Sequence, residues 1–459
     1  MDNFDLENLP ILWRGKTPEP EYEAARCRVF NVKRPNDSPL AIVKPKTVAH
    51  IVAAVKLASR LDTQIAVRSG GHSLSCWTLR ADSILIDLEN FNHLVYDEQK
   101  QEVQTSPSVT SSELLKFLAT KNRSFPGGHC GDIGLGGYLL QGGIGLNSRS
   151  YGYACEYIAR LDVVTAAGEL KHCSKDENSD LYWAARGAGP EFPAIVTRFY
   201  LKTRPLLPVY KRCTYIWPIT SYETVFKWLL DLLPSIDEDI EPIGFGFTLP
   251  NINQPALVIH VLVFADSDAS AVEKLKPIRD THPPGLIVAQ DCIDTSVQQE
   301  YDSGGNSMPK GARYHTDSVF LDPAADVIET CREMFTKLPH KGALAYWQPM
   351  RTRTTAAADR SATMPAAEEE EDMALSFIQS EHYVSILAIY DDAGEDDFQK
   401  SWVNEYMRRL EPHTVGTFVA DAQPRDRPHK YWSDAATKRL LDIGRKWDPS
   451  GRIRGILLN

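Results

Sequence analysis

Nowhere in these 459 residues does an apolar run approach the roughly 20 positions needed to cross a bilayer, so no membrane-spanning helix is expected. Basic charge is also scarce. Lys and Arg total 50 against 61 Asp and Glu, and the net charge of −11 argues against a nucleic-acid binder working by phosphate neutralisation or a basic membrane-surface protein. Eight cysteines are too few for a disulfide framework, and the acidic opening MDNFDLENLPILW lacks the apolar core of a secretory signal. Reduced thiols and a cytoplasmic location are expected. No GK[ST] follows either glycine-rich loop, no G-x-S-x-G elbow occurs, and neither H-E-x-x-H nor C-x-x-C spacing is found. Phosphate-loop hydrolysis, serine hydrolysis and a metal centre therefore lose support.

What the chain has in abundance is glycine, and in one place. Between Gly127 and Gly145 nine of nineteen residues are glycine, in HCGDIGLGGYLLQGGIG and the two positions before it. An earlier loop, RSGGHS, spans Arg68 to Ser73 and follows the apolar run TQIAV. Glycine is costly in regular structure, and its uses are positive φ and close approach of the backbone. Consecutive exposed N–H groups in such loops make concave anion sites suited to a pyrophosphate. Each loop also carries a nucleophilic side chain, His72 in the first and Cys130 in the second.

Around these loops the pattern alternates. The segment from Ser38 to Ser73 reads as strand, helix, strand and glycine loop, with apolar spacing near 3.6 from Val48. SILIDLENFNHLVYDEQKQEVQTSP predicts two strands, and SSELLKFLATKNRSF a helix capped by Ser111 or Ser112. Beyond the proline-rich TRPLLPVY the glycines thin out. IGFGFTLP, ALVIHVLVFA and HYVSILAIY predict strands, while SYETVFKWLLDLLPSI and AADVIETCREMFTKL predict helices. That suggests an antiparallel sheet with helices on one face. RTRTTAAADRSATMPAAEEEED is expected to be a solvated loop or helix end, its EEEED at 368–372 a solvated face and not a cation site.

The motifs RSGGHS (68–73), HCGDIGLGGYLLQGGIG (129–145), YGYACEYI (151–158), DVVTAAGEL (162–170) and DLYWAARGAGPEFPAIVTRF (180–199), with the closing RKWDPSGRI, resemble the FAD-linked oxidases of the vanillyl-alcohol-oxidase superfamily, in its berberine-bridge-enzyme-like branch. The resemblance implies an α+β, two-domain PCMH-type fold. An FAD-binding domain would span residues 1–205, completed by 425–459, and an antiparallel-sheet substrate domain covered by helices would span 206–424. It implies FAD held by Arg68, Ser69, Gly70, Gly71, His72, Ser73, Cys130, Gly134, Gly137, Tyr138, Gly142, Gly143, Gly145, Ile158 and Val196, with Arg68 adding charge near the pyrophosphate. His72 would bond the 8α-methyl of the flavin, and Cys130 would supply a second bond. A neutral imidazole near pH 7 suits the first role, and a thiolate favoured by the glycine loop suits the second.

By the same resemblance the chain is an FAD-dependent oxidoreductase. It is expected to be an oxidase acting on a CH–OH or CH–NH group of a small molecule of secondary metabolism, passing hydride to flavin N5 and electrons to molecular oxygen. Ile133 falls where the oxygen path runs in the family. Two departures stand out. Tyr138 replaces the usual histidine after GG, and GTFVADAQ (416–423) puts Asp421 at the place of the usual catalytic tyrosine. Asp421 is then a candidate base if burial raises its pKa. Tyr138, Tyr346 and His382 are further catalytic candidates, and two or three of Tyr314, His315, Tyr346, Trp347, Gln348 and His382 are expected to face substrate. With the base altered, a non-redox cyclisation on the same flavoprotein fold is the alternative function. Substrate and oligomeric state stay open.

Overall fold

The computed structural model describes residues 8–249, 253–339, 341–350, 372–375, 380–453, 455 and 457–458. The acidic segment expected to be solvated lies outside these residues except for Asp372.

Four strands form the first sheet, in the spatial order Ile11–Trp13, Ala41–Val43, Ile84–Asp87, Ile65–Arg68. The last three run parallel, and the first is antiparallel to its neighbour. Helix Val48–Arg60 starts where the Thr47 hydroxyl accepts the His50 N–H, and its apolar stripe (Ile51, Val55, Ala58) packs on Ile65, Ile84 and Ile86. A five-stranded antiparallel sheet follows, ordered Leu94–Asp97, Glu102–Thr105, Ala194–Lys202, Ile158–Thr165, Leu170–Cys173. Three strands therefore occupy the stretch from Ser83 to Pro107 where two were predicted, because a 3-10 turn at Leu88–Asn90 and a loop break the apolar run. Helix Ser111–Ala119 is capped by Thr110, whose side chain and Glu113 satisfy each other's backbone N–H. The serines read as caps lie one and two residues inside the helix.

Arg68 and Asp87 are register partners at the ends of adjacent parallel strands. Both side chains are fully buried, and Arg68 Nη2 is 2.7 Å from Asp87 Oδ2. Arg28 Nε adds a second cationic bond to Asp87 at 2.9 Å. Removing the carboxylate strands a buried guanidinium, which costs more than the pair itself contributes. Asp87→Ala should lower unfolding stability by about 3–5 kcal/mol, read as a shifted midpoint in chemical denaturation.

The largest sheet has eight antiparallel strands, ordered Val288–Asp294, Val209–Pro218, Gln254–Ala265, Ile240–Leu249, Ala343–Pro349, His382–Tyr390, Arg313–Leu321, Thr414–Gly416. Side chains of successive residues point to opposite faces. One face (Cys213, Tyr215, Trp217, Ile259, Val261, Ala345, Trp347, Val384, Ile386) packs under helices Tyr222–Leu232, Asp268–Thr281, Val327–Thr336 and Asp396–Leu410. The other presents Arg212, Thr214, Ile243, Phe245, Val258, His260, Tyr346, Gln348, Tyr383 and Ser385 to a cavity. Helix Asp434–Trp447 closes the chain. Asp448 accepts the N–H groups of Arg452 and Ile453, and the Arg452 carbonyl accepts from Ile65, returning the tail to the first sheet.

Candidate active site

The two glycine loops meet back to back. A Cβ on Gly70 would stand 2.6 Å from Gly134 N, and one on Gly134 would stand 2.5 Å from Gly70 N. Gly71 has φ +76°, and a Cβ there would lie 2.5 Å from the Arg28 carbonyl. Only bare backbone lets the loops approach this closely, which is what the sequence reading required of RSGGHS and the glycine run. Between the loops and the uncovered face of the eight-stranded sheet lies a cavity of about 910 Å³.

Of the predicted cofactor residues, Arg68, Ser69, Gly70, Gly71, His72, Ser73, Cys130, Gly134, Gly137, Tyr138 and Val196 line this cavity. Gly142, Gly143, Gly145 and Ile158 do not. The last three glycines serve packing: a Cβ would meet Leu375 at Gly142, Ala154 and Tyr138 at Gly143, and the Gly127 carbonyl at Gly145. Ile158 is a core strand residue whose carbonyl accepts from the Tyr182 hydroxyl. Arg68 lends the cavity little charge, because its guanidinium faces Asp87 and the carbonyls of Ala25 and Arg26. The expectation that it serves the pyrophosphate is corrected accordingly.

The remaining lining fits FAD. Ser73 Oγ is buried without a hydrogen-bond partner among the described residues, in the loop whose glycines bare the backbone. Leu88, Pro107, Phe192, Val196 and Ile453 supply apolar walls of the kind a flat heterocycle needs. Ser69–Ser73 would hold the pyrophosphate, and His72 and Cys130 would flank the isoalloxazine.

His72 is held on two sides. Its ring stacks on Phe30 at 4.2 Å, and Nε2 is 3.2 Å from Asp132 Oδ1. Burial presses its pKa down, but Asp132 and Cys130 outweigh that and push it up to about 9. The sequence reading expected a largely neutral imidazole near pH 7. Asp132, a residue it did not weigh, reverses that. Its own carboxyl is drawn below the usual range by His72, against burial, and by Lys310.

At the other side of the cavity two polar groups converge. The Tyr383 hydroxyl donates to Asp421 Oδ2, and both residues line the cavity. Burial pushes the Tyr383 phenol well above its ordinary pKa. Burial also raises Asp421, with Tyr383 pulling the other way and the nearby Asp317 carboxylate adding to the rise. Tyr346 donates to Gln348 Oε1 at 2.6 Å, and Gln348 Nε2 donates to Glu241 at 3.0 Å and to Ser148 at 2.8 Å. Glu241 is fully buried and also accepts the N–H groups of Asn147 and Ser148. His129 on the glycine loop approaches it at 3.9 Å.

Two of the four catalytic candidates, Asp421 and Tyr346, thus face the cavity with polar atoms. Tyr138 lines it, but its hydroxyl turns away to the Pro126 carbonyl at 2.8 Å. His382 is off the cavity, packed beside Trp347, with burial holding its pKa down at about 4. Of the six candidates for substrate contact, Tyr346 and Gln348 line the cavity. Trp347 faces the helices. Tyr314 bonds the Pro309 carbonyl, and His315 lies between Asp426 and Lys33. Sequence reasoning missed Tyr383 and His129. Tyr383 is one residue from His382, so the strand was found and the wrong phase of its alternation chosen. His129 stood inside the quoted glycine motif.

Residues 39–174 match the FAD binding domain family. The chain is 61% identical to the FAD-linked oxidoreductase nodO of Hypoxylon pulicicidum over all of both chains. It is 58% identical to the FAD-linked oxidoreductase janO of Penicillium janthinellum over 98% of each. Among solved structures, BBE-like 1 of Physcomitrella patens superposes with a TM-score of 0.82 at 20% identity, covering 98% of this chain and 97% of that one. The superposition gives the chain the fold of that structure, and full-length identity of this order, together with a cavity walled by two touching glycine loops, places it in the FAD-linked oxidoreductases, as an FAD-dependent oxidoreductase.

Proposed function

We propose that the chain is an oxidase that removes hydride from a carbon bearing a hydroxyl or amine in a small, largely apolar molecule, and that its flavin is attached through His72 and Cys130. The observation that carries this reading is the Tyr383–Asp421 pair, opening into the same cavity as His72 and Cys130. When bound, FAD supplies the hydride acceptor.

The protein's part is positional and acid–base. Substrate oxidation at such a carbon releases a proton from its O–H or N–H. Tyr383 is placed to take that proton while passing its own to Asp421, so the net acceptor is the carboxylate. The phenol is too weak an acid to be ionised, so it needs the carboxylate it donates to as the final acceptor. Tyr346, fixed by Gln348, offers a second hydroxyl for orientation. Ile243, Phe245, Phe247, Leu344 and Leu387 give the cavity an apolar wall. That wall favours an apolar secondary metabolite over a sugar, whose hydroxyls would demand more polar partners. Molecular oxygen is the proposed electron acceptor, reaching the ring along the loop that carries Ile133.

The test is a panel of apolar alcohols and amines added to the holoenzyme. Anaerobic bleaching of the flavin, followed in air by product two mass units lighter with equimolar hydrogen peroxide, is the expected result. A product of unchanged mass would replace this reading with the non-redox cyclisation. Bleaching without peroxide would make the enzyme a dehydrogenase.

A further inference from the structure

The uncovered face of the eight-stranded sheet carries one row of side chains across the cavity. Register pairs Tyr383 with Gln348, Ile243 with His260, and His260 with Thr214, while the Gly244–Trp347 pair sets Ile243 beside Gln348. All five line the cavity. Neighbouring strands lie about 4.8 Å apart, so His260 stands about 14 Å from Tyr383 along this row and Thr214 about 19 Å. Between the two ends the face is apolar, with Ile243, Phe245 and Val258 turned to the cavity.

The far end is polar, and two strands and a helix build it. Arg212 precedes Thr214 by two residues and so shares its face. Glu300 comes from helix Val297–Ser307. His260 Nε2 is 3.2 Å from Glu300 Oε2, Arg212 Nη1 is 3.5 Å from Oε1, and Thr214 Oγ1 is 3.1 Å from His260 Nδ1. Thr295 donates its hydroxyl to the same carboxylate. Burial works against the Glu300 charge, but His260 and Thr295 hold its carboxyl below the ordinary range. The ionised carboxylate offsets the Arg212 charge. Hydrogen-bonding capacity is nevertheless left over. The guanidinium meets Glu300 only at 3.5 Å, and Arg212 Nε has no hydrogen-bond partner among the described residues.

A polar cluster at one end of an apolar wall, with an acid–base pair at the other, describes a ligand. We propose that Arg212, Thr214 and His260 form a subsite for a neutral oxygen function, a hydroxyl or carbonyl, at the far end of an elongated apolar substrate whose other end is oxidised at Tyr383. This rests on the reading of Tyr383 and Asp421 as the place of oxidation. A sugar chain of that length would set its middle hydroxyls against Ile243, Phe245 and Val258. A carboxylate at the far end would face Glu300, which already occupies the cations. A ligand without the far oxygen leaves donors in the cluster unpaired, and that is what rejects it.

The experiment titrates the FAD-loaded holoenzyme with defined probes and follows the flavin absorbance by rapid mixing, before any bleaching. The probes are the α,ω-diol of dodecane, dodecanol, the α,ω-diol of hexane and hexanol. The first reaches both ends of the row, the second lacks the far oxygen, and the last two are too short. The dodecane diol should bind about 10- to 100-fold more tightly than dodecanol, the worth of a hydrogen bond to a charged donor. The hexane diol should show no such advantage over hexanol. Arg212→Met should abolish the advantage of the longer diol. Because that change leaves Glu300 facing His260 alone, Arg212→Met/Glu300→Gln removes the ion pair as a unit and should abolish the same advantage with flavin content unchanged. Equal affinity for the dodecane diol and dodecanol in wild type would overturn the proposal. So would an advantage that survives both variants, or no absorbance change with any probe. Tighter binding of the ω-hydroxy acid of dodecane than of the diol would overturn it too, by making the far end an anion site. Oxidation is read separately. If the probes bind as expected yet the flavin bleaches with no alcohol or amine, the oxidase reading fails while the polar subsite stands.

Discussion

Acid precipitation of the purified protein should leave the yellow flavin in the pellet, and of the four proteins compared only the His72→Ala/Cys130→Ala double variant should release it to the supernatant. The expected change is from nearly complete retention to nearly complete loss. It follows from where the two nucleophiles stand. His72 and Cys130 lie on different loops, yet both line one cavity, because Gly70 and Gly134 bring those loops into backbone contact. Each single variant keeps one bond and therefore the colour. Release from wild type would show that neither bond exists and would confine both residues to non-covalent packing. Release from one single variant would assign attachment wholly to the residue removed.

Tyr383→Phe should lower the rate of flavin reduction by substrate about 10²- to 10⁴-fold, the range for losing a positioned acid–base group. Flavin content should be unchanged, since the phenol ring stays in its aromatic cluster with Phe320, Tyr346 and Phe418. Asp421→Asn should cost a similar factor. The double variant should be little worse than either single, because the two residues pass the same proton. In wild type the reduction rate should rise with pH through the Asp421 pKa, which burial lifts above its ordinary value, because only the carboxylate form accepts the proton. Anaerobic rapid mixing measures both effects. Reduction at the wild-type rate in Tyr383→Phe would remove the residue from proton transfer.

The cofactor end of the site was legible because its chemistry is local. Positive φ and bare backbone are properties of individual glycines, so RSGGHS and HCGDIGLGG announce a loop that must be approached closely whatever the rest of the chain does. The acid–base end was harder. In HYVSILAIY both phases of the strand are mostly apolar or aromatic, since one face packs under helices and the other lines a mainly apolar cavity. Period-2 reading finds such a strand but cannot orient it. On the neighbouring strand Tyr346, Trp347 and Gln348 were all taken, and only Tyr346 and Gln348 line the cavity. His382 was taken in place of Tyr383.

Charge was misread for a related reason. Arg68 sits in the phosphate-loop motif, but the strand ending in Asp87 lies beside it in parallel register and absorbs its guanidinium. Asp132 raises the His72 pKa that sequence reasoning left near its free value. These are pairings over distances of a few ångströms, and a pKa responds to such distances and not to sequence separation.

The sequence by itself therefore determined the cofactor class, the α+β architecture and the two glycine loops that carry His72 and Cys130, since each depends on residue type and short spacing. The tertiary structure alone decided which of the bared glycines face the cavity, that Tyr383 meets Asp421 from 38 residues away, and that Asp132 stands 3.2 Å from His72 Nε2. Hydrogen bonds and charge couplings act through space, and only the folded chain sets those distances.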